Sequence, residues 1–533
     1  MMPRLVDDSQ RLCARPARAA AVAAVALVAL AGCRRVSARR PPNVVIVVLD
    51  TLRPDRLGCY GSERDTSPNL DAMSEEFFLF ENAQSSAPWT APALISLVTS
   101  LNPDVHAVTS SPIPGRLSER ARTLAEVLSR HGFQTAAITE GGYARGDFGL
   151  DRGFELFLAD DGLAGGSAQG AEQRPLDTNL TRAIDWLAAR GEAPFFLFFH
   201  TYEVHAPRIP PEEHVRRFRP DYDAAAQARA VRAAVAAWNE RRELSPESAR
   251  LIQLEIQAGA FGDTPSPMEP GLLRERAREL GVQLERERMA ESPELVDLVR
   301  DLYDAELRRT DEALSRLWRT LRENGLWDDT LVVLVSDHGE GLGDHGRLGH
   351  GTQLYDEVLR TLLMIHAPLP GLTPRRLPDV VRAIDLMPTL LELSGVPADG
   401  LLLQGQSLVP LMRGEPSALD AFSHAVKARR GESPQQHTIR SGHWRLIRDS
   451  SAGTVRLYDL TSDPGETLDR AGQEPEVVQR LVRRLERQRA VDAALREHLG
   501  GAGAAAELDP AVLRRLADLG YIGGDSAGAE ADE

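Results

Sequence analysis

Short apolar runs without alternation constrain the fold of this chain more than any other feature. Five of them stand out, at residues 44–49, 135–139, 195–199, 331–335 and 362–365. A strand that is apolar at every position is buried on both faces, as in a parallel sheet covered by helices. Stretches with helical patterning separate the runs, at residues 123–131, 179–190 and 294–324. This alternation predicts an α/β fold with a mostly parallel central sheet flanked by helices.

Changes of pattern along the chain predict its domain organisation. We expect residues 43–415 to form the α/β domain, with a helical insertion at about residues 210–292, which are rich in Arg, Glu and Ala. Short strand candidates then predict a smaller antiparallel C-terminal subdomain over residues 416–500. We expect a linker, a short helix and an acidic tail over residues 501–533.

The N-terminus carries the features of a secretory signal. Basic residues precede an apolar run of about 14 residues, whereas a transmembrane helix needs about 20. The run ends in Leu-Ala-Gly-Cys33, which resembles a bacterial lipobox. We therefore expect a lipoprotein signal peptide over residues 1–32, lipidation of Cys33, a tether over residues 33–42 and a lipid-anchored location in the bacterial cell envelope. An ordinary signal peptide or anchor that contains a cysteine is the alternative.

Composition excludes several classes of protein. Acidic residues outnumber basic ones by 78 to 62, a formal net charge of −16, which argues against a nucleic-acid partner because a phosphate backbone attracts a basic surface. Three cysteines in 533 residues exclude a disulfide scaffold.

Polar residues of the metal-ligand type follow three of the predicted strands. Asp50 follows the first, His205 comes shortly after the third, and Asp337-His338 follow the fourth. Ligands of open α/β sheets bind outside the carboxyl ends of the strands, so these residues could converge there. Two carboxylates and an imidazole suit a divalent cation. Taken alone, Asp50 is better explained as a turn or helix-capping residue, whereas the Asp337-His338 pair favours metal binding or catalysis.

Several segments in a fixed order carry a family resemblance. They are NVVIVVLDTLRPDRLGCYG (43–61), SSAPWTAPALISLVTSLNPDVHAV (85–108), FFLFFHTYEVHAPRIPP (195–211), SDHGEGLGDHGRLGHGTQLYDE (336–357) and LYDLTSDPGET (457–467). Together they resemble the sulfatase branch of the alkaline phosphatase superfamily. The resemblance implies an alkaline-phosphatase-like fold and a metal-dependent hydrolase of sulfuric or phosphoric esters. It also implies one divalent ion (Mn²⁺, Zn²⁺ or Ca²⁺) and an anionic ester substrate such as a glycan or a lipid headgroup.

The sequence departs from the sulfatase pattern at three positions. Most sulfatases carry two adjacent aspartates where this chain has Asp50-Thr51, so one oxygen ligand is missing. Thr90 stands where sulfatases have the Cys or Ser that is oxidised to formylglycine, and Leu94 stands where they have an arginine. Because threonine is a secondary alcohol, its oxidation would give a ketone. No formylglycine is therefore expected.

Threonine at this position resembles relatives that act on phosphorus, including phosphodiesterases and phospho-group transferases. Those relatives use a metal-activated threonine as the nucleophile and pass through a phosphothreonine intermediate. By this resemblance, His205 and His350 contact the transferred group or protonate the leaving oxygen. The implied metal ligands are Asp50, Thr90, Asp337 and His338.

Several alternatives remain open at this stage. Thr90 could instead cap the helix that follows it. Glu203, His205 and His350 could form a second metal site, although we expect only one metal, and His200 is expected to be structural. The leading function is hydrolysis or transfer of a phosphate-type ester through Thr90. The alternatives are a sulfatase that acts without formylglycine and a non-catalytic binding protein of the same fold.

Overall fold

The computed structural model describes residues 40–109, 114–159, 174–206, 210–223, 293–425 and 436–500, together with residues 208, 226, 508, 509 and 512. The predicted signal peptide and Cys33 lie outside the described residues, as do most of the predicted tether, helical insertion and C-terminal tail. Residues 1–41 separate from residues 42–533 as a unit of their own, and all elements described below belong to the second unit.

Fifteen strands are present in the described part of the chain. They are β1 (Asn43–Leu49), β2 (Phe78–Gln84), β3 (Gln134–Thr139), β4 (Leu156–Ala159), β5 (Phe195–Thr201), β6 (Thr330–Val335), β7 (Gly341–Leu342), β8 (Leu348–Gly349), β9 (Arg360–Thr361), β10 (Leu363–His366), β11 (Arg376–Arg382), β12 (Asp420–Ala425), β13 (Gln436–Ser441), β14 (Trp444–Asp449) and β15 (Thr454–Asp459).

The described α-helices alternate with these strands over the first part of the chain. They are α1 (Pro68–Met73), α2 (Thr90–Thr99), α3 (Pro103–His106), α4 (Leu124–Arg130), α5 (Pro175–Ala189), α6 (Glu212–Phe218), α7 (Pro293–Glu323), α8 (Asp356–Leu359), α9 (Leu386–Leu393), α10 (Val409–Met412) and α11 (Pro475–His498). Among the described residues, no helix combines the length and the apolar character that crossing a membrane requires.

The central sheet has nine strands in the order β11-β2-β10-β6-β1-β5-β3-β4, with β9 beside β2. Strands β6, β1, β5, β3 and β4 run parallel to one another, and β10 is antiparallel to both of its neighbours. The prediction of a mostly parallel sheet is confirmed. All five apolar runs lie in strands of this sheet or at the ends of those strands. Each of these strands is apolar because it lies at or near the centre of the sheet.

Successive side chains of β1 point in turn into two separate hydrophobic cores. Both faces of the strand are therefore buried, which explains why its sequence does not alternate between apolar and polar residues. Val44, Ile46 and Val48 pack in a core that includes residues of α2, α4 and α9. Val45, Val47 and Leu49 pack on the opposite face, in a core that includes residues of α5 and α7. Helices therefore cover both faces of the sheet, as the apolar runs predicted.

Four strands of the central sheet were not predicted: the short strands β4 and β9, and the longer strands β2 and β11. Strand β2 (FLFENAQ) is partly polar, and β11 (RLPDVVR) alternates with a proline near its middle. Strand β11 is the terminal strand at one edge of the sheet, and β2 lies between it and β10. An edge strand tolerates charges and proline, so it lacks the apolar signature of the central strands.

The C-terminal part forms a separate antiparallel sheet of four strands, in the order β12-β13-β14-β15. This confirms the predicted antiparallel subdomain, although β12 (DAFSHA) was not anticipated. Helix α11 buries Val477, Leu481 and Leu485 in a core shared with Ile439 and Leu446 of this sheet. The exact domain boundaries stay a prediction.

Candidate functional site

The register of the central sheet brings the two predicted aspartates together. Strands β1 and β6 are parallel neighbours, with Val48 beside Val335. Asp50 and Asp337 each come two residues after this pair, so both emerge at the same edge of the sheet. Both carboxylates are buried, at 0% and 1% exposure.

Asp50, Asp337 and His338 form a group that could hold a metal ion. Each offers a ligand atom, and these three atoms lie within 4.8 Å of one another. Oδ1 of Asp50 and Oδ2 of Asp337 are buried without a hydrogen-bond partner among the described residues. Burial, followed by the charge of Asp337, raises the pKa of Asp50 well above its usual range. Two buried carboxylates with orphaned oxygens fit a divalent cation, which would supply the missing counter-charge.

Thr90 joins this group from the start of helix α2. Its Oγ1 lies 3.3 Å from Nε2 of His338, and its side chain acts to lower the pKa of Asp50 against the larger effect of burial. The alternative in which Thr90 caps the helix is wrong: Trp89 is the N-cap residue, in an extended conformation, and Thr90 is the first helical residue. The structure therefore brings together all four side chains of the predicted ligand set.

The two predicted catalytic histidines lie beside the same group. The ring of His350 is 4.6 Å from that of His338 and 5.0 Å from that of His205, measured between centroids. Burial, followed by the charge of His350, lowers the pKa of His205 well below its usual range. His205 is therefore neutral at pH 7 as the site stands, and it could exchange a proton with a bound substrate.

A buried carboxylate and a buried arginine lie behind His350; the sequence placed Glu340 beside Asp337-His338-Gly339 without a role of its own, and Arg208 was missed. Oε1 of Glu340 lies 3.1 Å from Nδ1 of His350, and Oε2 accepts a hydrogen bond of 2.7 Å from Nη2 of Arg208. The guanidinium of Arg208 also lies over the ring of Tyr303, 5.0 Å from its centroid. Burial acts to raise the pKa of Glu340, but the charges of His350 and Arg208 outweigh it and lower that pKa. The only signals in the sequence were that Glu340 directly follows Asp-His-Gly and that Arg208 comes shortly after His205.

Two residues weighed from the sequence have different partners in the structure. His200 is fully buried, and its Nε2 lies 3.3 Å from Oδ2 of Asp50. Burial lowers the pKa of His200 to about 4, so its ring is neutral. The carboxylate of Glu203 instead pairs with Arg174 at 2.7 Å and with Arg309 at 2.6 Å. No metal-binding group that includes Glu203 is present in the described part of the chain.

Thr51, at the position of the missing second aspartate, does not point into the group. Its φ of 57° is left-handed, and its hydroxyl donates to the backbone carbonyl of Asp50 over 2.7 Å. Its backbone N–H lies 3.3 Å from Oδ1 of Asp337, and its carbonyl accepts a hydrogen bond from the hydroxyl of Tyr303. Thr51 thus shapes the loop, and a non-glycine residue in this conformation stores strain at the site.

The loop after His338 is held by ion pairs and by the C-terminal subdomain. Arg53 pairs with Asp344 and donates a hydrogen bond of 3.0 Å to the carbonyl of Glu340. The ring of His345 stacks on that of Tyr355, with centroids 3.7 Å apart. Its Nε2 lies 3.2 Å from the carbonyl of Glu466, in the C-terminal part of the chain. His345 therefore positions the loop rather than the reacting groups.

Comparisons with known proteins agree with this geometry. The Sulfatase family model matches residues 42–396, and that of the N-sulphoglucosamine sulphohydrolase C-terminal region matches residues 343–491. Arylsulfatase A of Homo sapiens is 25% identical over 537 residues, which cover 85% of this chain and 88% of that protein.

Solved structures are similar over most of their length. The phosphonate monoester hydrolase of Agrobacterium radiobacter has a TM-score of 0.64 at 23% identity and covers 85% of this chain and 96% of its own. A protein solved with its substrate D-glucosamine-2-N,6-O-disulfate has a TM-score of 0.64 at 19% identity and covers 85% and 98%.

Fold and site together define an α/β enzyme with a buried group of possible cation ligands at the carboxyl ends of its strands. The chain belongs to the Sulfatase family of the alkaline phosphatase superfamily, and it is a hydrolase of that family. Enzymes of this family are metal-dependent, and Asp50, Asp337 and His338 form a group that could hold the ion in this chain.

Proposed function

We propose that this protein is a lipid-anchored enzyme of the bacterial cell envelope that cleaves or transfers a phosphate-type ester, with Thr90 as its nucleophile. The observation that carries the proposal is the position of the Thr90 hydroxyl, 3.3 Å from Nε2 of His338, at the N-terminus of α2 and beside the possible cation ligands Asp50 and Asp337. The location rests on the lipobox-like sequence that ends in Cys33.

The N-terminus of α2 also suits an anionic reacting group. Backbone N–H groups of the first turn of a helix point outward and carry partial positive charge, which stabilises a phosphoryl oxygen. Thr90 is the first residue of this ten-residue helix, so its hydroxyl lies beside those N–H groups. A divalent ion held by Asp50, Asp337 and His338 would lower the pKa of a hydroxyl that coordinates it.

The covalent chemistry balances with the residues present. Oγ1 of Thr90 forms a bond to phosphorus while the bond from phosphorus to the leaving oxygen breaks. Glu340 faces Nδ1 of His350, which fixes the ring tautomer that leaves Nε2 to carry or accept a proton. His350 or His205 takes the hydroxyl proton of Thr90 and passes it to the leaving oxygen. The same ring then takes a proton from the water or acceptor alcohol that attacks phosphorus and returns it to Oγ1 of Thr90 as the phosphothreonine bond breaks.

The residues at the nucleophile position argue against formylglycine chemistry. Oxidation of Thr90 would give a ketone, and the arginine position of the maturation motif is held by Leu94, which is buried in the hydrophobic core. We expect an anionic ester substrate, such as a glycan or a lipid headgroup.

The test is a panel of nitrophenyl esters with the full-length protein loaded in turn with Mn²⁺, Zn²⁺ and Ca²⁺. The panel contains a sulfate, a phosphate monoester, a phosphodiester and a phosphonate. Thr90→Val keeps the shape of the side chain but removes the hydroxyl, and Thr90→Ser keeps the hydroxyl as the matched control. We expect cleavage of a phosphorus ester that Thr90→Val abolishes and Thr90→Ser retains.

Other outcomes distinguish the alternative functions. Sulfate release that depends on the Thr90 hydroxyl and exceeds phosphate release would identify a sulfatase that acts without formylglycine. Absence of turnover with every ester and every metal would overturn the hydrolase assignment for these esters and favour a non-catalytic binding protein.

A further inference from the structure

A second group of metal-ligand side chains lies outside the candidate active site. Asp104 in the short helix α3, His424 in strand β12 and His437 in strand β13 offer ligand atoms within 4.8 Å of one another. His424 and His437 lie outside the segments that carry the family resemblance, and Asp104 lies near the end of one of them, fourteen residues after Thr90. We propose that they form a second metal site for a borderline divalent cation of the Zn²⁺ type, which links the C-terminal sheet to the nucleophile-bearing domain.

The geometry within the group matches a tetrahedral ligand set. Oδ1 of Asp104 lies 3.0 Å from Nδ1 of His424, and Oδ2 lies 3.5 Å from Nε2 of His437. Nitrogen and oxygen ligands at 2.0–2.2 Å from a tetrahedral Zn²⁺ are about 3.3 Å apart, between these two values. Small rotations of the side chains would bring the three ligand atoms around one ion.

The arrangement of the two rings points to a shared ion rather than to a simple ion pair. His424 and His437 are directly opposed in the antiparallel pair β12–β13, and their rings are parallel within 6° at a centroid distance of 4.3 Å. Two imidazolium ions stacked in this way would repel each other. Nδ1 of His437 is buried and makes no hydrogen bond in the described part of the chain, and Nδ1 of His424 meets Asp104 without hydrogen-bond geometry.

The site is reachable by an ion and keeps room for a further ligand. The side chain of Asp104 is 27% exposed, whereas those of His424 and His437 are 12% and 5% exposed. Asp104 also borders a cavity of about 390 Å³ that is lined by Arg489 and Arg496 of α11. Three protein ligands with one face open to water are typical of zinc sites that bind a fourth, exchangeable ligand. Two imidazoles favour this class of cation over Mg²⁺ or Ca²⁺.

The position of the group indicates what a bound ion would do. Helix α3 comes shortly after α2, which begins with Thr90. Strand β12 contacts the segment before Thr90, because the backbone N–H of His424 donates to the carbonyl of Ser86 over 3.2 Å. An ion held by Asp104, His424 and His437 would therefore join the C-terminal sheet to the segment after α2, next to the existing backbone contact before α2, and would stabilise the folded state by mass action.

The experiment measures zinc binding with the candidate active site removed. The full-length Asp50→Asn/Asp337→Asn variant is dialysed against Zn²⁺ and analysed for bound metal, and its melting temperature is followed against Zn²⁺ concentration. We expect one Zn²⁺ per chain and a melting temperature that rises with Zn²⁺. Adding His437→Ala should weaken binding by more than about 100-fold, since even the loss of an outer-shell partner costs 10–100-fold.

Two further variants keep the test decisive. His443→Ala removes an exposed histidine of the same sheet and should leave zinc binding unchanged. Asp104→Asn is nearly isosteric and should weaken binding without unfolding the protein, so it serves if His437→Ala does not fold. Absence of bound Zn²⁺ in the parent variant would overturn the proposal, and so would equal binding by the parent and the Asp104→Asn variant. Both results are independent of the esterase panel.

Discussion

Replacing Glu340 by glutamine tests whether this carboxylate positions His350 for catalysis. Glu340 is 1% exposed, and its two oxygens face Nη2 of Arg208 at 2.7 Å and Nδ1 of His350 at 3.1 Å. The amide can accept only one of these two hydrogen bonds, and its NH₂ group then faces a second donor. Removing one charge from a buried ion pair costs about 3–5 kcal/mol, and the retained hydrogen bond favours the lower end of this range.

The same substitution should reduce turnover selectively. General acid–base catalysis contributes about 10²–10⁴-fold, and His350 loses the partner that fixes its tautomer. We therefore expect Glu340→Gln to lower kcat about 100-fold on the best ester of the nitrophenyl panel, with the metal content unchanged. Stability is measured by urea denaturation and turnover by steady-state kinetics of the metal-loaded full-length protein.

Glu357→Gln is the matched control for this prediction. Glu357 also pairs with a histidine, since its Oε1 lies 3.0 Å from Nδ1 of His345 on the same loop. His345 stacks on Tyr355 and does not lie beside Thr90. Loss of the pair between Glu357 and His345 should therefore affect stability more than turnover. A Glu340→Gln enzyme that keeps kcat within about twofold, or a Glu357→Gln enzyme that loses as much, would refute the positioning role of Glu340.

Three further predictions concern the whole protein. Removing divalent cations with EDTA should lower the melting temperature, because the buried carboxylates of Asp50 and Asp337 then face each other without a counter-charge. Re-adding the cations should restore it, and Asp50→Asn should reduce this change in melting temperature. Burial raises the pKa of Asp311 from 3.8 to about 6, so the native state holds a proton that the unfolded state releases, and stability declines as the pH rises through this window. Asp311→Asn should remove up to about 3 kcal/mol of that decline in urea denaturation across the window. Gly339→Ala should destabilise the protein by about 1–3 kcal/mol and reduce turnover, since the added Cβ would lie 2.3 Å from the carbonyl oxygen of Glu357.

The core of the sheet was predictable because burial on both faces leaves a direct mark on composition. Strands such as β1 and β5 must be apolar at nearly every position, so their runs could be read without knowing their neighbours. The terminal strand β11 and its neighbour β2 carry no such mark, because their pairing depends on which partner is available. The prediction therefore succeeded at the centre of the sheet and failed at its edge.

The candidate site divides in a similar way. Asp50, Thr90, Asp337 and His338 could be assigned from their places at strand ends and in ordered motifs, and the structure brings them together. Their roles as metal ligands and nucleophile stay predictions until the Thr90 variants are assayed. The alternative in which Thr90 caps α2 was wrong, because the capping position depends on the backbone angles of Trp89, which no motif reports.

The sequence by itself determined the fold class, the family and the chemical types gathered at the strand ends, because each depends on local composition or on ordered motifs. Only the tertiary structure decided which charged groups meet. Arg208 and Glu340 are separated by 132 residues, and Asp104 is still farther along the chain from the pair His424 and His437. Such contacts depend on the register of strands and the packing of helices, since a side chain one residue out of register would point to the opposite face of its sheet.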